Sequence, residues 1–192
     1  MSHFFAYLNR MRYIERWGLM YNVHVENIQE HSLQVAVIAH TLAIVRNELF
    51  GGSVNPERVA VLALYHDVSE VITGDLPTPI KYFNPQINRA YKDLEEVANE
   101  RIHGLLPEAL QASFNAIFFP TEADQEHWLL VKAADKLAAY VKCLEELKLG
   151  NQEFAKAKHT TKQAIDDLDL PEVRYFLKTF LPSMTLTLDE LD

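Results

Sequence analysis

The chain has 192 residues, of which 48% are hydrophobic, and its formal net charge is −9. A chain of this length can fill one hydrophobic core and is short for two, so we predict a single domain over residues 1–192. The acidic balance argues against a nucleic-acid polymer as partner, but one metal ion and one or two arginines can still attract a small anion.

Apolar residues recur at helical spacing almost throughout the chain, so we predict an all-α fold. Glycine, proline and asparagine mark the ends of the helices. We predict helices, in chain order, from Phe4 to Trp17, from Asn27 to Phe50, from Asn55 to Thr73, from Asn84 to His103, a short one from Pro107, and then from about Glu122 to Leu149, from Gln152 to Asp167 and from Glu172 to Phe180. The core spans about 27–150, with flanking helices at both ends, and the prolines at 77 and 79 exclude helix interior from 75 to 79.

The expected cellular location is based on three sequence features: the N-terminal pattern, the length of the apolar runs and the number of cysteines. The N-terminus has no signal-peptide pattern, and no apolar run looks long enough to span a bilayer. Cys143 is the only cysteine, so no intrachain disulfide is possible. We therefore predict a cytoplasmic protein without a membrane partner.

The pair His66-Asp67 is the most informative feature of the chain. It lies in a stretch otherwise built for burial, where an ionisable pair is costly unless something binds it. His31 lies on an apolar face of the second helix, and Asp135 lies among alanines of the sixth. An imidazole and a carboxylate are both good ligands, so the order His, His-Asp, Asp predicts one metal centre built from three helices.

The residue types leave the metal open. Two imidazoles and two carboxylates suit Zn²⁺, Mn²⁺, Fe²⁺, Co²⁺ or Ni²⁺ and leave coordination positions for water and substrate. The ordinary alternative is that each histidine is a hydrogen-bonded core residue and that Asp135 pairs with Lys132 or Lys136. Four residues of ligand type on apolar helices favour the metal.

Two carboxyl groups follow the His-Asp pair. Glu70 stands one helical turn after His66, beside the predicted ion, where a group can handle the proton of a bound water. Asp75 begins a stretch that prolines make rigid, and Thr78 in the same stretch can donate to an oxygen. The alternative is a plain helix stop with a solvated aspartate.

Arg16-Trp17 is a further candidate, because arginine offers a fork for phosphate and tryptophan offers a flat face for a sugar or base. The alternative is an exposed arginine and a tryptophan that closes the first helix. Glu145-Glu146, by contrast, is most simply a solvated helix face.

The set His31, His66-Asp67 and Asp135 resembles the motif of the HD-domain superfamily of metal-dependent phosphohydrolases. Longer stretches resemble one of its families, the bacterial HD-domain 5'-deoxynucleotidases. They are Arg16-Trp17, Glu30 to Ala36, Tyr65-His66-Asp67 with Ser69-Glu70, Thr73 to Pro79, and Lys142 to Leu147. The resemblance extends over nearly the whole chain and is less clear from 101 to 126.

This resemblance implies a single-domain HD-type helical bundle that hydrolyses deoxyribonucleoside 5'-monophosphates to deoxynucleoside and phosphate. It implies a homodimer with one divalent ion per site, Co²⁺ or Mn²⁺ being favoured. The implied ligands are His31, His66, Asp67 and Asp135, and the implied acid-base residues are Glu70 and Asp75. The implied substrate-binding residues are Arg16 for phosphate, Trp17 for the sugar, and His31, Asp75, Leu76, Pro77, Thr78 and Asp135.

Two alternatives remain at this level. One is an HD hydrolase of another nucleotide, such as a dNTP, (p)ppGpp or a cyclic dinucleotide, but extra phosphates need extra cations and Lys81 is the only obvious spare one. The other is a non-catalytic nucleotide-binding helical module, which has no need of Glu70 and Asp75 as proton-transfer groups.

Overall fold

A computed structural model describes residues 1–191, which form helices, turns and a single isolated bridge between Glu15 and Asn27. The α-helices are α1 Phe4–Leu8, α2 Ile28–Phe50, α3 Pro56–Tyr65, α4 Glu70–Thr73, α5 Thr78–Lys81, α6 Pro85–His103, α7 Glu108–Phe118, α8 Gln125–Lys148, α9 Phe154–Asp166 and α10 Pro171–Thr179. Short 3₁₀ helices span Asn9–Tyr13, Glu122–Asp124, Leu181–Thr185 and Leu188–Glu190. The predicted all-α fold is confirmed.

Helix α2 lies at the centre of the bundle and packs against α3, α8 and α10. The Asn27 side chain caps it by accepting from the backbone N–H groups of Gln29 and Glu30, as the sequence predicted. Among the described residues, α2 is long and apolar enough to cross a membrane by length and composition, so the expectation that no run reaches that length was wrong. Its apolar face is buried here against Leu62 and Leu137 in the main core.

The predicted third helix is interrupted at the His-Asp pair. Helix α3 ends at Tyr65, a turn occupies 66–69, and α4 follows. The His66 backbone N–H bonds the Ala63 carbonyl at 3.4 Å, and the His66 Nδ1 bonds the same oxygen at 2.7 Å. Because a side chain competes for a carbonyl of the helical ladder, the last turn tightens and the helix stops.

The first predicted helix is wrong beyond Leu8. A 3₁₀ helix reaches Tyr13, and the backbone then becomes extended and pairs with the residues that precede α2. The Arg16 N–H donates to the Glu26 carbonyl at 2.9 Å, and the Ile28 N–H donates to the Ile14 carbonyl at 3.0 Å. These hydrogen bonds replace the helical ones and hold residues 14–27 as a loop against the start of α2.

The remaining boundaries differ from prediction by local detail. The loop at 74–77 is free of helix, but the short α5 begins at Thr78, since proline is tolerated in a first helical turn. The helix predicted from about Glu122 starts with a 3₁₀ turn at 122–124, and α8 itself begins at Gln125. There the Asp124 carboxylate accepts two hydrogen bonds from Arg58, at 2.9 and 2.8 Å, which ties this turn to α3.

Candidate active site

The four predicted metal ligands converge from three parts of the fold. His31 comes from α2 and is fully buried, His66 and Asp67 come from the turn after α3, and Asp135 comes from the middle of α8. The His31 Nε2 lies 3.0 Å from an Asp135 oxygen and 3.7 Å from Asp67 Oδ2, and the His66 Nε2 lies 3.1 Å from the same Asp67 atom. Residues that are far apart in the sequence therefore lie close together in the fold.

The donor set fits a divalent cation. Because a carbonyl oxygen can only accept, the His66 Nδ1 donates to Ala63, and in the neutral imidazole Nε2 is then the nitrogen with the free lone pair. The His66 Nε2 is buried without a hydrogen-bond partner, and one ligand atom from each of His31, His66 and Asp67 lies within 4.8 Å of the others. A buried, unpartnered imidazole nitrogen beside two carboxylates is what a cation compensates.

Both carboxylates are held in the charged form. Burial opposes the charge of Asp67, but His66, His31 and Arg16 outweigh it and lower its pKa to about 2. Burial also opposes the charge of Asp135, yet its hydrogen bond with His31 keeps the pKa of that carboxyl below its usual range. The Asp135 side chain is 40% exposed, so this ligand lies at the solvent-facing side of the set.

The two predicted acid-base residues have pKa values shifted the other way. Glu70 is buried with Oε2 unpartnered, and burial, together with Asp67 and Asp75, raises its pKa to about 10. Burial also raises the pKa of Asp75, although Arg16 opposes this shift. Glu70 therefore favours the protonated form, and the pKa of Asp75 is shifted in the same direction, whereas the pKa values of Asp67 and Asp135 are lowered.

Arg16 and Trp17 lie in the loop at 14–27, so Arg16 is not the exposed arginine of the alternative interpretation and Trp17 does not close a helix. Arg16 Nη1 lies 3.4 Å from Asp67 Oδ2, Nη2 lies 4.0 Å from Asp135, and its side chain is only 12% exposed. Trp17 has φ 61°, a left-handed conformation that costs free energy in a bulky residue, and its ring packs 5.2 Å from that of Phe154. Such strain is retained where the surroundings over-determine it.

Glu26 is a residue of this site that the sequence did not reveal. Its carboxylate accepts from Arg16 Nε at 3.0 Å and from Trp17 Nε1 at 3.2 Å, and it is 8% exposed. The only available signal was an acidic residue directly before the cap Asn27, which by itself indicates nothing about a site.

The residues of the proline-containing loop at 74–78 are less buried than Glu70. Leu76 and Pro77 are half-buried, whereas Thr78 is exposed at the start of α5. The Tyr91 hydroxyl donates to the Gly74 carbonyl at 3.1 Å and holds the beginning of this loop. Exposure therefore increases along the loop, from the half-buried Asp75, Leu76 and Pro77 to the exposed Thr78.

The prediction that Glu145-Glu146 is a solvated face is right for Glu145 and wrong for Glu146. Glu146 is fully buried, pairs with Lys142, and accepts from the backbone N–H groups of Val23 and His24 at 2.9 and 3.0 Å. Burial opposes its charge, but these hydrogen bonds lower its pKa to about 2. Helix α8 therefore anchors the loop that carries Arg16 and Trp17.

We expect Glu146→Ala to destabilise the protein by about 3–5 kcal/mol, because Lys142 is left buried and unpaired. The pKa of Glu146 in the folded state lies below its ordinary value of 4.5. Its contribution to the free energy of unfolding is therefore complete above pH 4.5 and is lost as pH falls toward about 2. Urea unfolding of wild type, Glu146→Ala and the exposed control Glu145→Ala measures this. If the difference in unfolding free energy between wild type and Glu146→Ala does not become smaller at low pH, this prediction is contradicted.

An all-α bundle in which His, His-Asp and Asp converge defines the class of HD-domain phosphohydrolases. An HD-domain phosphohydrolase from Listeria innocua superposes with a TM-score of 0.81 at 24% identity, over 95% of this chain and 88% of that one. The cyanophage S-2L HD phosphohydrolase, solved with dA and one catalytic Zn²⁺, superposes with a TM-score of 0.67 at 19% identity, over 95% and 96%. At these identities the likeness shows the shared fold.

The family is shown by sequence. A family model described as 5'-deoxynucleotidase YfbR-like matches residues 3–184. The 5'-deoxynucleotidase of Vibrio cholerae is 53% identical over 190 residues, which cover 99% of this chain and 98% of that protein. The chain belongs to the YfbR-like 5'-deoxynucleotidase family. The predicted family, and with it the predicted class of enzyme, a phosphoric monoester hydrolase, is confirmed.

Proposed function

We propose that this chain hydrolyses deoxyribonucleoside 5'-monophosphates to deoxynucleoside and phosphate, with one divalent ion held by His31, His66, Asp67 and Asp135. The observation that carries the proposal is the convergence of these ligands with the buried guanidinium of Arg16, 3.4 Å from Asp67. The names of the relatives support the substrate class, and the dA bound in the cyanophage structure supports a nucleoside site in this fold.

Two imidazoles and two carboxylates can hold several divalent ions. We expect Co²⁺ or Mn²⁺ to support activity, and the Zn²⁺ of the cyanophage structure makes zinc the next ion to test. When bound, such an ion supplies a Lewis acid for a phosphate oxygen and lowers the pKa of a water. Metal-dependence itself fits the buried, unpartnered Nε2 of His66.

Arg16 supplies the positive charge for the phosphate. Its Nε is taken by Glu26, so Nη1 and Nη2 are the atoms on the side of the ligands. A planar guanidinium held in one orientation can donate two parallel hydrogen bonds to a phosphoryl group and offset the charge that develops there. This local cation explains how a chain of net charge −9 can bind an anion.

Glu70 and Asp75 divide the proton transfers. Hydrolysis of a phosphomonoester must remove a proton from the attacking water and deliver one to the leaving 5'-oxygen. The buried Glu70 and the half-buried Asp75, both with raised pKa values, provide one carboxyl group for each transfer. Trp17 follows Arg16 in the same loop and donates to Glu26, and we propose that it disfavours a 2'-hydroxyl on the sugar.

The assembly and location remain part of the proposal. We propose a homodimer in the cytoplasm, one domain over 1–192, without a nucleic-acid polymer or membrane as partner. Helix α2 exposes Leu33, Val37 and Ile44 along one face, which a second copy can cover. A monomer in analytical ultracentrifugation contradicts the dimer.

The test of the activity is phosphate release from dAMP, dCMP, dGMP and TMP beside their ribonucleotides. The protein is first stripped with chelator, and Co²⁺, Mn²⁺, Zn²⁺ or Mg²⁺ is then restored singly. We expect metal-dependent release from the deoxy substrates with little release from the ribonucleotides.

The same assay separates the alternatives. Pyrophosphate or triphosphate release from a dNTP or (p)ppGpp, without phosphate from monophosphates, indicates another HD hydrolase. That outcome is not expected, because Lys81 is already paired with Glu95 at 2.8 Å. Ligand binding without turnover under every metal indicates a non-catalytic module.

A further inference from the structure

We propose that Glu26 is a positioning residue that holds Arg16 and Trp17 as one unit, so that phosphate binding and sugar selection depend on a single carboxylate oxygen. The proposal rests on the proposed function, because it assigns a geometry to the two substrate-facing residues of that site. It concerns a residue outside the metal-ligand set and outside the two acid-base carboxyls.

One oxygen atom receives both side chains. Glu26 Oε2 accepts from Arg16 Nε at 3.0 Å and from Trp17 Nε1 at 3.2 Å. The backbone repeats the link, because the Arg16 N–H donates to the Glu26 carbonyl at 2.9 Å. Hydrogen bonds to a buried charged acceptor are stronger than neutral ones, so the shared oxygen fixes the relative orientation of guanidinium and indole.

The charge of Glu26 also decides where Arg16 points. The guanidinium faces Asp67 and Asp135 as well as Glu26. With Nε held by Glu26, the fork cannot rotate to pair fully with the two metal ligands. Without that hold, Arg16 is free to pair with the ligands instead of the substrate phosphate, and binding weakens.

The other oxygen of Glu26 does not bind a ligand residue. Oε1 lies 3.8 Å from His31 Nδ1, which is beyond hydrogen-bond distance. We therefore expect Glu26 to act on Arg16 and Trp17 rather than on metal affinity. This distinguishes it from a carboxylate that orients a ligating histidine through a hydrogen bond.

The loop does not depend on Glu26 for its fold. Glu146 binds the backbone of Val23 and His24, and Asn151 donates to the Tyr21 carbonyl at 2.8 Å. The middle of the loop is thus anchored independently, and a change at Glu26 acts on the side chains it bonds.

The test compares Glu26→Gln with Glu15→Gln in the full-length, metal-loaded enzyme. Glutamine keeps the volume of Glu26 but loses its charge, while Glu15 is exposed on the same backbone bridge and serves as the matched control. We expect Glu26→Gln to raise KM for deoxynucleotides about ten- to hundredfold and to lower the deoxy-to-ribo ratio of kcat/KM about tenfold. We expect unchanged metal content, and Glu15→Gln should behave as wild type.

A double-variant cycle tests the shared oxygen. Trp17→Phe removes the indole N–H and keeps an aromatic ring. If both residues act through one contact, Glu26→Gln and Trp17→Phe each lower the deoxy-to-ribo ratio of kcat/KM by a similar factor. The double variant then lowers this ratio little further. The coupling is overturned if the losses of the two single variants add up in the double variant. It is also overturned if Glu26→Gln has the KM and the deoxy-to-ribo ratio of the wild type. Loss of metal, or a fall in kcat alone, assigns Glu26 another role and also overturns it.

A readout without turnover keeps this test separate from the proposed function. Trp17 and Trp128 are the two tryptophans of the chain, so Trp128→Phe leaves Trp17 as the sole indole. We expect Glu26→Gln in that background to shift the Trp17 emission, whereas Glu15→Gln does not. If wild type shows no phosphate release but the shift occurs, the proposed function fails while the positioning by Glu26 stands.

Discussion

Asp67→Asn is expected to remove metal binding and to lower the rate of phosphate release by at least about a thousandfold. Asp67 Oδ2 is the atom on which the site converges, at 3.1 Å from His66 Nε2, 3.7 Å from His31 Nε2 and 3.4 Å from Arg16 Nη1. Asparagine keeps the shape but loses the charge that a divalent ion requires of its ligands. Metal content after dialysis and phosphate release measure the effect.

The control for this variant is Asp93→Asn, an exposed change on α6 that also removes one negative charge. We expect Asp93→Asn to keep full metal content and activity. Circular dichroism shows whether Asp67→Asn stays folded. A folded Asp67→Asn protein that binds metal like wild type contradicts the assignment of Asp67 as a ligand.

Glu70→Gln is expected to lower turnover by about 10²- to 10⁴-fold while metal content stays unchanged, because it removes a proton-transfer group and no ligand. Glu70 is buried beside Asp67, and glutamine is nearly isosteric with it. Single-turnover phosphate release and metal analysis of the same preparation measure the two quantities. If metal is lost together with activity, Glu70 is a ligand and the proton-transfer role is wrong.

The same substitution has an opposite effect on the stability of the metal-free protein. Burial raises the pKa of Glu70 to about 10 from an ordinary 4.5, so the folded state disfavours the charged form that the unfolded state adopts above that value. The stability that Glu70 contributes is therefore present below its unfolded-state pKa of 4.5, and it is lost as pH rises toward its folded-state pKa of about 10. In chelator near pH 8, Glu70→Gln should resist urea better than wild type, and near pH 4 the two should agree. Equal stability at both pH values contradicts the buried, neutral Glu70.

Local sequence predicted much of the helical framework correctly. Asn27, Asn55 and Asn84 each accept from backbone N–H groups at the start of a helix, because a cap acts on residues two or three positions away. The sequence also predicted that His31, His66, Asp67 and Asp135 meet at one site, since ionisable residues in apolar helices are costly to bury without a partner, and their role as metal ligands stays a prediction. The resemblance over nearly the whole chain placed the protein in one family, and the comparisons confirm that family.

Tertiary structure decided the parts that depend on distant partners. The extended backbone at 14–16 requires pairing with 26–28, and the buried Glu146 accepts a hydrogen bond from the backbone N–H of Val23, 123 positions earlier in the chain. Helical periodicity alone does not predict the helix break at His66, which brings His66 and Asp67 next to His31 of α2 and Asp135 of α8. Glu26 was missed for the same reason. Caps and apolar periodicity are local and can be read along the chain, whereas an ion pair or a shared carboxylate exists only once folding has brought its partners together.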